Sequence, residues 1–144
     1  MSARRMWRAL RSLSGPERRL LVELGFATFR TLVRLRLRRA DCALASFLSA
    51  PAPAAWSSSP ADADGVASLA ARFFRRIPVR LSCLERAIIL RRVLARRGIP
   101  AELKIGVAKP GAELQAHAWL VCEGRILLDG PDLCARFPAV LMVA

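Results

Sequence analysis

Residues 82–100 decide the fold, because this stretch, SCLERAIILRRVLARRGIP, carries both the start and the stop signal of one helix. Ser82 suits the N-cap position, and Glu85 stands three residues later, as a capping box requires, ahead of an apolar helical run. Gly98 follows the last turn and is itself followed closely by a proline, which is a common helix exit. The pattern predicts a buried central helix whose first residue is Cys83.

A cysteine at the first position of a helix is a candidate nucleophile. The positive end of the helix dipole and the backbone N–H groups without intrahelical partners favour the thiolate form at that position. Arg80 and Arg86 flank Cys83 and act in the same direction. Taken alone, however, a free cysteine is more often a buried packing residue. Cys83 therefore needs partners elsewhere in the chain before chemistry can be assigned to it.

Beyond the helix the hydrophobic period changes from helical to two, which is typical of half-buried strands. Apolar and polar or small residues alternate, and turn residues separate the runs. Three strands are predicted in this part of the chain, at residues 102–107, 114–121 and 125–129. A helix followed by a small antiparallel sheet indicates the α+β class.

The loop between the last two strands decides which residue faces Asp129. A two-residue loop, 123–124, places Ala118 opposite Asp129 and turns His117 to the other side of the sheet. Glu-Gly is not a dipeptide favoured in such tight turns, whereas a three-residue loop, 122–124, puts its glycine at the left-handed position that closes a bulge. That register brings His117 opposite Asp129, with Cβ atoms roughly 4.5–5.5 Å apart. We therefore predict the longer loop and a His117–Asp129 pair.

The order of these three residues is that of the transglutaminase-like cysteine hydrolases: a cysteine at a helix start, a strand histidine and an aspartate on the next strand. Finer features resemble the B proteins of lasso peptide biosynthesis, which are leader peptidases. They are Ser82-Cys83-Leu84-Glu85-Arg86-Ala87, the Arg-Gly-Ile-Pro helix exit, Ala116-His117-Ala118-Trp119 and the Gly124-Arg125…Asp129 hairpin. The resemblance covers residues 77–137 well. It implies a transglutaminase-like (papain-like) core, with the catalytic cysteine heading a central helix packed on the sheet, preceded by a helical N-terminal half.

Carried onto this chain, the resemblance makes Cys83 the nucleophile, His117 the general base and then acid, and Asp129 the carboxylate that fixes the imidazole tautomer. The backbone N–H of Cys83 is the natural oxyanion donor. Gln115 is a candidate for the second donor, because it lies on the strand face of His117. Asp132 is a rival to Asp129 but is better placed to cap a short final helix.

Composition and cysteine spacing limit the other function classes. The chain has 144 residues and one histidine, and its four cysteines form no C-x-x-C pair and no zinc spacing: Cys42, Cys83, Cys122 and Cys134. Neither a metal site nor a cofactor is expected. Cys122 and Cys134 have no base in view, so we interpret them as packing residues.

The net charge of +13 comes almost entirely from arginine. Such a charge favours nucleic acid or anionic membrane as a partner. An arginine-heavy, alanine-rich composition also follows from a GC-rich genome without any function, and no nucleic acid is expected as a partner. Contact with a membrane surface through the basic N-terminal helices stays open.

Residues 1–64 are predicted to form a helical N-terminal region ahead of the catalytic core, 65–144, within one compact domain. Its parts are a basic amphipathic segment at 1–13, a helix at 18–39 capped by Ser14 or Gly15, a short helix at 42–48, and a Pro/Ala/Ser-rich linker at about 49–64 containing Trp56. Asp64-Gly65 then caps the next helix. Charged residues interrupt the helix at 18–39 too often for a membrane span. No signal-peptide pattern precedes it, so cytoplasmic residence is expected.

The expected function is a cysteine protease that cleaves the leader from a ribosomally synthesised lasso peptide precursor through an acyl-enzyme. The resemblance implies three partners: the precursor, a separate leader-recognition protein and the ATP-dependent lasso cyclase. The chain is expected to be the discrete form, too short to contain a fused recognition domain. Two alternatives stay open. One is another acyl-transfer enzyme of this fold, a transglutaminase or amidase, and the other is a non-catalytic basic protein that binds nucleic acid or membrane.

Overall fold

The computed structural model describes residues 14–37, 60–109, 111–130 and 132–143. Within them, three helices pack together and the third lies against an antiparallel sheet of four strands in the order β3-β2-β1-β4. The predicted α+β class is confirmed. The elements in chain order are α1 (Gly15–Leu37), α2 (Pro60–Phe74), α3 (Cys83–Ala95), β1 (Glu102–Ala108), β2 (Gln115–Cys122), β3 (Arg125–Leu127), α4 (Leu133–Arg136) and β4 (Ala139–Val143).

Helix α3 begins and ends where the sequence predicts. The Glu85 backbone N–H donates to the Ser82 hydroxyl at 3.2 Å, and the Ser82 backbone N–H donates to the Glu85 carboxylate at 2.7 Å. This reciprocal capping box leaves Cys83 as the first helical residue. At the other end, Gly98 adopts a φ of 67°, the left-handed conformation expected of a glycine that terminates a helix.

Helix α3 is also the centre of the main hydrophobic core. It contacts α1, α2, β1 and β2. Burying a large apolar side chain contributes about 1.5–3 kcal/mol to the free energy of folding. Because this helix is apolar on most of its circumference, it gains that stability only where other elements surround it. Its buried residues are Ala87, Ile88, Ile89, Leu90, Val93 and Leu94.

Helix α1 carries a second capping box, in which the Ser14 and Glu17 side chains each bond to the other residue's backbone N–H or hydroxyl. Ser14 is therefore the cap, which is one of the two residues predicted for it, and the helix begins at Gly15. Glu23 pairs with Arg97 at 2.5 Å, which ties α1 to the exit of α3. Among the described helices, none combines the length and the apolar character that crossing a bilayer demands.

Helix α2 corrects the predicted linker, because it begins at Pro60 and not after Asp64-Gly65. A proline suits the first helical position, where its fixed φ is already helical, and an acidic residue follows in the first turn. Ala63 is fully buried, so packing on the core extends the helix through this stretch. Asp64 does not cap the helix but pairs with Arg125 on β3 at 2.5 Å.

Several predicted N-terminal features fall on positions that are not described. They are the amphipathic segment at 1–13, the end of the first helix at 38–39, the short helix at 42–48 and the linker residues 49–59 with Trp56. The first described helix, α1, and the second, α2, pack on each other and on α3. The described part of the N-terminal region therefore shares one core with residues 65–143.

The sheet has one strand more than predicted. β4 runs antiparallel to β1, with a register shift between Ile105 and Gly106. Its sequence, AVLMV, is a short apolar run rich in residues that favour strands, which is the signal that the sequence offered. The pairing could not be predicted from local sequence, because no turn connects β4 to β1 and the two strands are distant in sequence.

The predicted three-residue loop between β2 and β3 is wrong. Cys122 pairs with Arg125, so the loop consists of Glu123 and Gly124 alone. Their φ angles are 47° and 77°, and two successive positive values are what a two-residue turn of type I′ needs. A left-handed glutamate costs about 1–2 kcal/mol. The strand pairing on both sides offsets this cost, which local preference alone does not reveal.

A small second core covers the sheet face opposite α3. It consists of Trp119, Leu133 and Phe137, with one residue from each of β1, β2 and β3 packed against it. Gly106 makes room for it, since a Cβ there would lie 2.6 Å from the Trp119 ring and 2.8 Å from Phe137 Cβ. This cluster holds the segment after β3 against the sheet, close to the residues of the candidate site.

Candidate active site

Cys83 lies half-buried at the start of α3 and packs against the main core. Arg86, one turn further along the helix, lines the same small cavity as Cys83. Arg80 is exposed and shares a larger neighbouring pocket with Arg86. Cys83 therefore has a basic neighbour on its own helix, and its backbone N–H belongs to the helix-start groups that lack intrahelical partners.

His117 and Asp129 lie side by side, with 3.4 Å between His117 Nε2 and Asp129 Oδ2. Both side chains are largely sheltered, at 21% and 27% exposure. The contact does not yet have the geometry of a hydrogen bond, and Nε2 has no other partner within the described residues. Catalytic hydrogen bonds are often long before substrate binds, so the distance is compatible with a working pair.

The His117–Asp129 contact forms by a route that the sequence did not predict. With the two-residue loop, the pairing Leu120–Leu127 continues toward Ala118 opposite Asp129. Strand pairing ends at Leu127, however, and Leu128 adopts a φ of 73°. This left-handed residue redirects the chain, so that the Asp129 carboxylate reaches the imidazole. A non-glycine residue in this conformation costs of order 1–3 kcal/mol, and such strain is concentrated at functional sites.

Two aromatic rings hold the imidazole plane. The His117 and Phe137 rings are nearly parallel, with centroids 5.5 Å apart and planes at 22°. Trp119 stacks on the same imidazole at 6.4 Å and 20°. Because Nε2 is turned toward Asp129, Nδ1 is the ring nitrogen that remains available to a thiol.

Cys83 joins this pair through Asp129. Both residues line a cavity of about 10 Å³, which is close to the space that one water molecule needs. His117, by strand alternation, shares the face of Trp119, whereas Ala118 and Leu120 face α3. Cys83 and Asp129 therefore share only this cavity, and among the described residues no hydrogen bond joins the Cys83 sulfur to the His117 ring.

Buried polar atoms without partners gather around this site. Within the described residues, the Nε of Arg86, the Nε2 of His117 and the Nε1 of Trp119 are buried and make no hydrogen bond. Thr31 on α1 has the fourth such atom. Unsatisfied buried groups are uncommon in folded proteins and each needs an explanation. Three of the four belong to the histidine, its stacking neighbour and the arginine beside the thiol.

The remaining predicted site residues have weaker support. Gln115, the second oxyanion candidate, is exposed at the first residue of β2, and no described contact links its side chain to Cys83. Asp132 precedes α4 at the N-cap position but its side chain makes no capping hydrogen bond. It is exposed, and the carboxylate that contacts His117 is that of Asp129.

The other described cysteines differ clearly from Cys83. Cys122 is buried, and burial raises the pKa of its thiol, which favours the unreactive protonated form. Cys134 is exposed on α4. Across the described ranges, no three His, Cys, Asp or Glu side chains come together as the ligands of a metal ion would.

Comparison with known protein families assigns the chain to a superfamily. The model of the transglutaminase-like superfamily matches residues 22–142, from within α1 to the end of the sheet. The chain belongs to the transglutaminase-like superfamily. Members of this superfamily are typically cysteine proteases or acyl-transfer enzymes. No curated protein and no solved structure gives a significant match.

For this transglutaminase-like chain, sequence reasoning missed two contributors to the site. Leu128 carried no signal, since leucine is a poor candidate for a left-handed conformation. Phe137 follows α4, far from His117 in sequence, and only Gly106 hinted that a large side chain approaches β1 closely. The match also runs across the predicted junction at residues 64 and 65.

Proposed function

We propose that this chain is a cysteine peptidase that cleaves the leader from a ribosomally synthesised lasso peptide precursor. The observation that carries the proposal is the His117–Asp129 contact of 3.4 Å next to a cavity that Cys83 lines. Membership of the transglutaminase-like superfamily supports acyl chemistry at this site. The resemblance of the residues around Cys83 and His117 to the lasso leader peptidases supports the choice of substrate.

In the proposed mechanism, His117 Nδ1 takes the thiol proton and the Cys83 sulfur attacks the carbonyl carbon of the scissile peptide bond. The backbone N–H of Cys83 stabilises the oxyanion that forms. His117 then gives its proton to the departing amine of the core peptide, and the leader stays as a thioester on Cys83. Water, deprotonated by His117, hydrolyses the thioester. Asp129 holds the imidazole through Nε2 in each step.

This mechanism requires the thiol and the imidazole to meet at the end of the sheet where β2 begins. Asp129 supports this arrangement, because it contacts His117 and lines the same cavity as Cys83. Substrate binding is expected to close the remaining distance, as catalytic contacts commonly tighten in the enzyme–substrate complex. No cofactor enters the proposal.

We further propose that α1 carries the docking surface for the recognition protein that delivers the leader. An exposed apolar stripe runs along this helix, with Val22 74%, Phe26 55% and Phe29 67% exposed. The spacing i, i+4, i+7 places the three on one face, as in helix-in-groove recognition. Exposed arginines border the stripe, at Arg18, Arg19 and Arg30. Exposed apolar patches rimmed by polar residues are a feature of protein interaction sites.

The proposal is tested by mass spectrometry of a lasso precursor encoded beside this gene, incubated with its recognition protein and either the native chain or Cys83→Ala. We expect one specific cut that is lost in the variant. A crosslinked or deamidated precursor would instead identify a transglutaminase or an amidase. An uncut precursor, in a reaction where binding is demonstrated, would contradict the peptidase proposal. Cleavage by the variant would contradict the role of Cys83.

The docking surface has its own test. Replacing Phe26 and Phe29 by serine should weaken binding of the recognition protein and leave α1 folded, because both side chains are exposed. Replacing the buried Leu24 would instead disturb the core. The non-catalytic alternative predicts a different result, namely binding to nucleic acid or membrane that falls steeply with salt and is indifferent to Cys83→Ala.

A further inference from the structure

An open pocket of about 680 Å³ lies beside the small cavity behind Cys83. Arg86 and Leu128 line both spaces, so the pocket adjoins the site that holds the thiol and Asp129. Its other walls come from the end of α2 and the segment that leads into α3.

The charged part of this wall is entirely basic. Arg75, Arg80 and Arg86 line the pocket, and no acidic residue is among the lining side chains. Within the described part of the chain, the ion pairs involve other arginines, and these three have none. The Nε of Arg86 is also buried without a hydrogen-bond acceptor. The pocket wall is therefore positively charged, and one of its arginines has a donor without an acceptor.

Arginines without an ion-pair partner at a pocket wall favour an anionic ligand, and a carboxylate matches the planar guanidinium fork in a bidentate arrangement. The rest of the wall is largely apolar, with Phe74, Ile77 and Leu81 among its members. Apolar walls suit the methylene stem of an aspartate or glutamate side chain better than a fully hydrated phosphate. The adjoining thiol acts, in the proposed function, on a peptide.

We propose that this pocket, here called the arginine pocket, binds an acidic side chain of the substrate peptide close to the scissile bond. Arg86 is the specificity-determining contact, because it alone among the three arginines also lines the cavity of Cys83. The identification of the ligand as a peptide rests on the proposed function. The proposed affinity of the pocket for a carboxylate does not depend on the proposed function.

The carboxylate preference is tested without any peptidase assay, by alkylating Cys83 with 3-maleimidopropionic acid and with its neutral amide. The two reagents share one reactive group, so the ratio of their rates removes differences in thiolate fraction. The quantity measured is the rate with the acid divided by the rate with the amide. At Cys83 we expect this ratio to be roughly tenfold higher than at the exposed Cys134, which corresponds to one charge-assisted contact. In Arg86→Gln this ratio should fall to that of Cys134.

Arg76→Gln is the matched control, because Arg76 is exposed, lies near the pocket and does not line it. It removes the same charge and should leave the ratio at Cys83 unchanged. Arg75→Gln together with Arg80→Gln provides a second variant at exposed positions, should Arg86→Gln fail to fold. An unchanged ratio in the pocket variants, or an equal fall in Arg76→Gln, would overturn the proposal.

The substrate side chain is then identified with the precursor itself. Each acidic residue near the cut is replaced in turn by its amide, and cleavage is measured with the native chain and with Arg86→Gln. One replacement should raise KM roughly tenfold in the native chain and have little effect in the variant, as expected of two groups in contact. If no replacement changes KM, the substrate assignment is wrong. If the alkylation ratio responds to Arg86 but no precursor is cut, the pocket stands and the proposed function fails.

Discussion

Helices α1 and α3 begin with the same capping box, and they differ in what surrounds it. Ser14 and Glu17 cap α1, and Ser82 and Glu85 cap α3, with the same reciprocal pattern. The first helical residue of α1 is the exposed Gly15, whereas that of α3 is Cys83, which shares a cavity with Asp129. A capped helix start is thus a common local structure, and the neighbouring sheet is what gives one of the two a chemical role.

The largest expected effect comes from moving the thiol between the two helix starts. Cys83→Ala should lower the cleavage rate by roughly 10⁴-fold or more, since it removes the nucleophile. Adding Gly15→Cys to that variant places a thiol at the other capped helix start, in open space, because nothing lies within 4 Å of a Cβ there. This double variant should stay inactive in the precursor cleavage assay. Recovered activity would show that the capped helix start suffices without the sheet.

Removing the charge of the Asp129 carboxylate should have the next largest effect. Asp129→Asn is expected to lower kcat by about 10²–10⁴-fold, because the amide no longer stabilises the imidazolium or fixes its tautomer. Asp132→Asn, at an exposed carboxylate a few residues away, is the control and should change kcat little. Steady-state kinetics of both variants separates the two aspartates. Equal losses would contradict the assignment of Asp129.

Crowding the aromatic cluster tests whether the sheet side of the site depends on packing. Gly106→Ala should destabilise the fold by about 1–3 kcal/mol, because its methyl group meets Trp119 and Phe137 at distances that real atoms avoid. Cleavage should fall as well, since both rings stack on His117. Gly65→Ala in α2, where the new methyl group meets nothing, is expected to stabilise by about 0.5–1 kcal/mol. Thermal unfolding of the two variants decides this.

Deleting the two caps compares the helix starts directly. Ser14→Ala and Ser82→Ala should each cost about 1 kcal/mol of stability, since each removes one side-chain acceptor from a helix terminus. Only Ser82→Ala should also slow alkylation of Cys83 and cleavage of the precursor, because it loosens the turn that holds the thiol. Denaturant titration and alkylation rates supply the two measurements. An equal loss of activity in Ser14→Ala would remove the distinction.

The smallest expected effect is a pH dependence at the α1 cap. Hydrogen bonds from the Ser14 backbone and hydroxyl hold the pKa of Glu17 below its ordinary value of 4.5. Stability from this carboxylate is therefore fully present above pH 4.5 and is lost as the pH falls through the lower pKa of the folded state. Glu17→Gln should abolish this part of the acid dependence of unfolding. A variant with the native acid profile would show that the cap is not the cause.

The predictions from sequence succeeded where a few consecutive residues decide the structure. Both ends of α3 and the positions of β1 to β3 depend on caps, glycines and alternation that span only a few residues. The start of α2 and the existence of β4 depend on partners far away in sequence, and the loop at Glu123 depends on the pairing of the two strands that it joins. Ala63 is buried by other helices, and β4 pairs with β1 across more than thirty intervening residues.

The sequence by itself determined that a cysteine would head a capped, buried helix, that a histidine would follow on a strand and that an aspartate would lie close to the next strand, which ends two residues before Asp129. Caps and strand periods act over a single turn or a few residues, so they survive without a tertiary context. Only the tertiary structure decided that Asp129 meets His117. The register of β2 and β3, continued past Leu127, places Ala118 and not His117 opposite Asp129. Leu128 redirects the chain by adopting a left-handed backbone conformation, and the surrounding packing offsets its conformational free energy. Local sequence patterns do not predict such a conformation for a leucine.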